Sequence, residues 1–75
     1  MMWIAEIVDR VEHHQDQFWV RSPDDLKDYE LMRLHGPAIV DGAVRKVVGV
    51  ISYAGGSTPI RKGDLILIQV MPISA

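Results

Sequence analysis

Val47-Val-Gly-Val-Ile-Ser-Tyr-Ala-Gly-Gly-Ser-Thr-Pro-Ile-Arg-Lys-Gly-Asp-Leu-Ile-Leu-Ile-Gln-Val-Met-Pro72 reads as two strong strands around a loop punctuated by glycine and proline. The first strand runs to Tyr53. Gly49 in its middle marks a bulge or bend, the device by which a short sheet curls. Ala54 to Pro59 reads as a flexible loop, and Lys62-Gly63-Asp64 as a tight turn feeding the last strand. In that strand Leu65, Leu67 and Met71 share one face and Ile66, Ile68 and Val70 the other, with Gln69 the only polar break. A strand apolar on both faces is central in its sheet or covered by a neighbour.

Working upstream, Asp41-Gly42 separates Ala38-Ile-Val40 from the long strand that begins at Ala43. That dipeptide supplies the positive φ angles of a two-residue hairpin turn. At the other end of the chain, Trp3, Ala5, Ile7 and Val11 alternate with Glu6, Arg10 and Glu12, which predicts a first strand over about residues 2–12. His13-His-Gln-Asp16 then reads as a four-residue connection to a second strand, Gln17-Phe-Trp-Val-Arg21. Ser22 at an N-cap, Pro23 at the first helical position and carboxylates at Asp24 and Asp25 predict a helix start. The helix is expected to reach His35, with Gly36 as its left-handed cap and Pro37 preventing continuation, and Glu30-Leu-Met-Arg-Leu34 reads alternatively as extended. The expected fold is mainly β: a small five-stranded OB-like or SH3-like barrel over residues 1–75, with one short α-helix after the second strand.

A chain of 75 residues buries only about 60–65% of the surface its unfolded form exposes, so its core is marginal. Cysteine is absent and apolar content is 48%, which excludes disulfides and thiolate metal sites and leaves self-association or a partner as the supplement. Net charge is −2 but unevenly spread: residues 1–30 carry eight acids against three bases, and residues 31–75 five bases against two acids. If folding separates those regions, the basic side of one copy meets the acidic side of another. The simpler reading is that the charges interleave across neighbouring strands. Glu6 and Asp9 interrupt the N-terminal apolar stretch where a signal peptide needs continuity. The longest aliphatic run of the final strand, Leu65 to Ile68, is far short of the roughly 20 residues that span a bilayer as a helix. The expectation is a soluble protein of a virion or the cytoplasm, with no membrane partner.

Tyr53 followed by a Gly/Ser loop, then Pro59, Gly63-Asp64 and Leu65-Ile-Leu-Ile68, is similar to the C-terminal pattern of small OB-like barrels in the virions of tailed bacteriophages. Those include tail-tip, baseplate and neck accessory proteins, and the resemblance covers about a third of the chain. It implies that Pro59, Gly63 and Asp64 form turns and that the flanking loop faces partners, which would be copies of the chain or larger virion proteins.

No chemistry accompanies these strands in sequence. His13 and His14 with Asp16, and His35 at a distance, are metal-ligand types, but adjacent strand residues point to opposite faces and a solvated turn accounts for them. Gly55-Gly-Ser-Thr58 leads into Pro59 and a strand, not into the Lys-Ser/Thr and helix of a phosphate loop. Ser22, Ser52, Ser57 and Ser74 lack any nucleophile motif, and Asp24, Asp25 and Asp28 read as first-turn carboxylates. The expectation is therefore no catalytic residue, no metal and no cofactor, in a structural or assembly module. Its partner contacts are expected at Trp19, Arg45, Lys46, Arg61, Lys62 and Gln69, with Ser22, Pro23, Gly36, Asp41, Gly42, Pro59, Gly63 and Asp64 as caps and turns. Single-stranded nucleic-acid binding is the alternative, because Trp19 with Arg21 and the pairs Arg45-Lys46 and Arg61-Lys62 combine an aromatic platform with basic side chains. A small inhibitor or regulator of a larger protein is a third class with the same features.

Overall fold

Six strands make one mixed sheet in the order β1-β4-β5-β6-β3-β2, in a computed structural model that describes residues 2–56 and 59–72. The elements are β1 (Trp3–Ala5), β2 (Ile7–Val11), β3 (His14–Arg21), a 3-10 helix η1 (Asp28–Leu34), β4 (Gly36–Val40), β5 (Ala43–Tyr53) and β6 (Leu65–Pro72). Ser57, Thr58 and Ser74 lie outside the described residues. The chain is mainly β, and among the described residues no helix is long and apolar enough to cross a membrane.

The expected first strand is interrupted at Glu6, and its halves go to opposite ends of the sheet. β1 pairs in parallel with β4, placing Trp3, Ile4 and Ala5 opposite Ala38, Ile39 and Val40. β2 pairs antiparallel with β3, placing Ile7 opposite Val20. Between them the Glu6 carbonyl accepts the Arg21 amide at 3.2 Å. Six strands thus replace the expected five, and the hydrogen-bonded sheet is open, with no ladder joining β1 to β2 among the described residues.

Among the described residues the sheet has no second layer, yet its inner residues are buried. Ala5, Phe18, Val20, Ala38, Val40, Val47, Ile66, Ile68 and Val70 form one cluster, with Trp3, Ile7 and Tyr53 packed against it. Strands from both ends of the strand order contribute, so the sheet curves around its own inner face. Register shifts supply the curvature: β2 against β3 between Ile7 and Asp9, and β5 against β6 between Val47 and Gly49 and again between Val50 and Ser52. An inserted residue bends and twists its strand. Of the residues skipped in these registers, Val8 and Ile51 are exposed and Val48 is half-buried.

The helix expected from Ser22 to His35 is not formed. Ser22 Oγ donates to the Asp24 carbonyl, 2.7 Å, and caps no helix. The backbone of this segment is engaged by the approach to β6: Ser22 N–H donates to Asp64 O (2.7 Å), Gly63 N–H to Ser22 O (2.9 Å), and Leu26 and Ile60 exchange both bonds at 2.7 Å. Extended pairing thereby outcompetes the local helix signal. Only the later part of the segment, η1, is helical, and as a 3-10 helix it has a period of three. Leu31 and Leu34 face the core, Glu30 and Arg33 pair at 3.0 Å, and Tyr29 and Met32 are exposed. His35 is the extended C-cap, and Gly36 opens β4 with φ 111° instead of capping a helix.

Two tight turns complete the frame. Asp41 (φ 56°) and Gly42 (φ 78°) join β4 to β5, as a two-residue hairpin requires. The β2–β3 connection is also two residues, Glu12 and His13, because Val11 pairs with His14 and β3 starts there. His13 takes φ 65°, which corrects the four-residue connection expected from the polar run.

The inner and outer faces of β6 predict different sensitivities. Ile68→Ala empties a fully buried site and is expected to cost about 2–5 kcal/mol. A chain of this size has roughly 4–11 kcal/mol in total. Met71→Ala on the outer face should cost less than about 1 kcal/mol. Urea unfolding of both variants checks the assignment, and equal losses would contradict it.

Candidate functional site

The residues expected to make contacts are distributed by strand alternation over two faces and two ends. Trp19 lies half-buried on the outer face of β3, opposite Leu67 of β6 and Asp9 of β2. It is outside the core cluster. With Val8, Asp9, Ala54 and Leu65 it lines a shallow, mostly apolar groove of about 330 Å³. Gln69, also half-buried, stands opposite Gln17 and donates Nε2–H to Asp16 Oδ2 at 3.0 Å.

Lys46 is exposed on the outer face of β5, between Pro37 and Met71. Arg45 takes the inner face and lies over the Phe18 ring, its Cζ 5.5 Å from the centroid. Arg61 and Lys62 are exposed in the turn before β6, where Gly63 has φ 92°. Their amides donate to Asp64 Oδ2 (3.0 Å) and Asp25 Oδ1 (2.7 Å). Arg45 is paired with Pro72 at the far end of β6, so the length of that strand, about 23 Å at 3.3 Å per residue, separates the two basic pairs. The structure does not bring them into one groove. Pro59 is exposed and precedes the Ile60 bridge, and Pro23 lines a depression with Trp3 and Leu34.

Two features of the folded chain were not read in sequence. The first is a cleft of about 750 Å³ lined by Arg10, His13, His14, Phe18, Asp41 and Arg45. The β2–β3 register sets Arg10 opposite Phe18, and the β4–β5 turn carries Asp41 to it. Arg10 donates from both terminal nitrogens to the Asp41 carboxylate, at 2.7 and 3.0 Å, and its Cζ lies 5.6 Å from the Phe18 centroid. Hydrogen bonding from Arg10 holds the Asp41 carboxyl below its ordinary range, with the positive charges of Arg10 and Arg45 acting in the same direction. His13 lies 3.4 Å from Glu12 with both side chains exposed. Among the described residues no group of three or more His, Cys, Asp and Glu side chains is arranged to hold a metal ion.

The second feature is an apolar row on the outer face. Ile4, Ile39 and Val44 are direct cross-strand neighbours on β1, β4 and β5. Pro37, Lys46 and Met71 form the adjacent row. Ile4 is 74% exposed, and Val44 and Met71 are about half exposed. The signal was present in the alternating pattern of Ala38-Ile-Val40, whose middle residue must point away from its neighbours. The parallel pairing that brings Ile4 beside it had no local signature.

Comparison of the chain with protein-family models, with curated proteins and with solved structures yields no match.

The Arg10–Asp41 pair predicts a specific acid response. A carboxyl whose folded pKa is depressed contributes stability that is fully present above its unfolded value, near 3.9, and is lost as pH falls through the folded value. Asp41→Asn keeps a residue tolerant of positive φ and removes that contribution. Acid unfolding followed by circular dichroism should show a shallower loss of stability below about pH 4 in the variant. An unchanged acid limb would contradict a stabilising pair.

Proposed function

We propose that this chain is a non-enzymatic assembly module that associates with copies of itself through the outer face of β1, β4 and β5. The observation that carries the reading is the apolar row Ile4, Ile39 and Val44, exposed at Ile4 and Val44 and half-buried at Ile39, flanked by Met71 and broken by Lys46. A contiguous apolar patch on a small chain, not covered by any of the described residues, is a contact surface by the energetics of burial. The same patch supplies what a 75-residue core lacks. A second copy is the occupant favoured here, because sheets pack face to face about 10 Å apart with their apolar sides interdigitated.

The finer fold belongs to this proposal. The N-terminal run feeds both ends of the strand order, and Arg10 of β2 reaches the turn that follows β4, the neighbour of β1. Both facts support reading the curled sheet as a small barrel of the OB-like or SH3-like kind. That barrel, with the Tyr53 to Ile68 resemblance, supports a role as a tailed-phage virion component in a tail, baseplate, neck or capsid accessory position. Single-strand nucleic-acid binding draws support only from Trp19 with Arg21 on one outer strand face. It is weakened by the separation of the basic pairs.

Sedimentation velocity over a range of concentrations tests the assembly reading. The expected result is reversible association of the wild type in the micromolar range, reduced at least tenfold by Ile4→Lys with Val44→Lys while the secondary-structure spectrum is unchanged. A monomer at every concentration and salt, or association unaffected by the double substitution, would overturn it.

A further inference from the structure

The strongest unassigned feature is the cleft over Phe18, at the end of the sheet that carries the β2–β3 and β4–β5 turns. Its chemistry is one of surplus donors. Each guanidinium carries five N–H groups and accepts none. Arg10 commits two of them to Asp41, and Arg45 makes no side-chain hydrogen bond to the described residues. Two cations therefore face one carboxylate, and His13 and His14 also line the cleft.

Both guanidiniums are also held in place. Phe18 is 2% exposed, so its ring is a fixed floor, and both arginine heads sit within 5.6 Å of its centroid. Cation–π attraction to that ring restrains each head, and the two-bond contact with Asp41 further fixes Arg10. Donors oriented before a ligand arrives bind it with less loss of side-chain freedom. The cleft volume of about 750 Å³ falls within the span typical of small-molecule sites, about 300–1,000 Å³.

We infer that this cleft binds a small phosphate-bearing anion, with Arg45 and the uncommitted donors of Arg10 as its principal contacts. A phosphate matches the deficit, since it brings several acceptor oxygens and suits the guanidinium fork in a bidentate arrangement. A diphosphate brings more acceptor oxygens and more negative charge than a single phosphate. The site does not involve the outer face on which the assembly reading rests, so either can fail without the other.

Amide and arginine Nε–Hε correlation spectra of the full chain, titrated with inorganic phosphate, pyrophosphate and adenosine monophosphate, test the inference against sodium chloride at matched ionic strength. The expected result is saturable shifts of the Arg10 and Arg45 side-chain signals and of amides in residues 11–15 and 41–45, tighter for pyrophosphate than for phosphate. Arg45→Gln should weaken binding at least tenfold, and Lys46→Gln on the opposite face should leave it unchanged. The nucleotide identifies the source of the anion: tighter binding than phosphate points to a nucleoside phosphate, and equal binding to the phosphate group alone. Shifts reproduced by sodium chloride, or unsaturated in the wild type up to about 10 mM, a concentration tenfold above a weak millimolar Kd, would overturn the inference. So would an unchanged affinity in Arg45→Gln. The wild-type side-chain signals decide the matter if that variant does not fold.

Discussion

A single N-terminal run serves both ends of this sheet, and the rest of the architecture depends on that constraint. Ala5 is tied to β4 and Ile7 to β3, with only Glu6 between them. Three consecutive residues can span about 7 Å between the first and third Cα atoms, so β1 and β2 must approach each other although β4, β5, β6 and β3 separate them in the strand order. The sheet therefore bends. Its inner side chains then meet one another, which is how a one-layer chain buries Val20, Val40, Val47, Ile66 and Ile68 completely.

This curvature divides labour between the two faces. Inside, β-branched and leucine side chains supply the burial that offsets chain entropy. Outside, Ile4, Val44 and Met71 remain uncovered, and the assembly proposal assigns them to a neighbouring copy. At the end where the β2–β3 and β4–β5 turns converge, the curve leaves a cleft lined by Phe18 and by the charged residues Arg10, Asp41 and Arg45. Arg10 and Asp41 link the strand at one end of the order to the turn next to the other.

Much of the sheet was legible in sequence because its signals are local. The two-faced aliphatic run Leu65 to Met71 announces a central strand, and β6 lies between β5 and β3. Asp41-Gly42 and Gly49 mark a hairpin and a register shift, both present. The helix signal misleads because Ser22-Pro-Asp-Asp25 carries the composition of a helix start, whereas its backbone partners come from residues 60–64, far along the chain. The period of three in Tyr29 to Leu34 was the overlooked signal. Of the site, Arg45 was named for its charge alone. Arg10 and Asp41 are 31 residues apart, and their meeting depends on the break at Glu6, which no local pattern declares.

Native-state amide hydrogen exchange, resolved by residue, tests the central constraint most directly. If the N-terminal run holds the curved sheet together, the β1–β4 ladder amides and the Arg21 amide that bonds Glu6 will open with the same free energy as the buried amides of β6, in one cooperative unit. Exchange of the β1–β4 ladder orders of magnitude faster, with β6 still protected, would show β1 to be a dispensable edge and contradict the account.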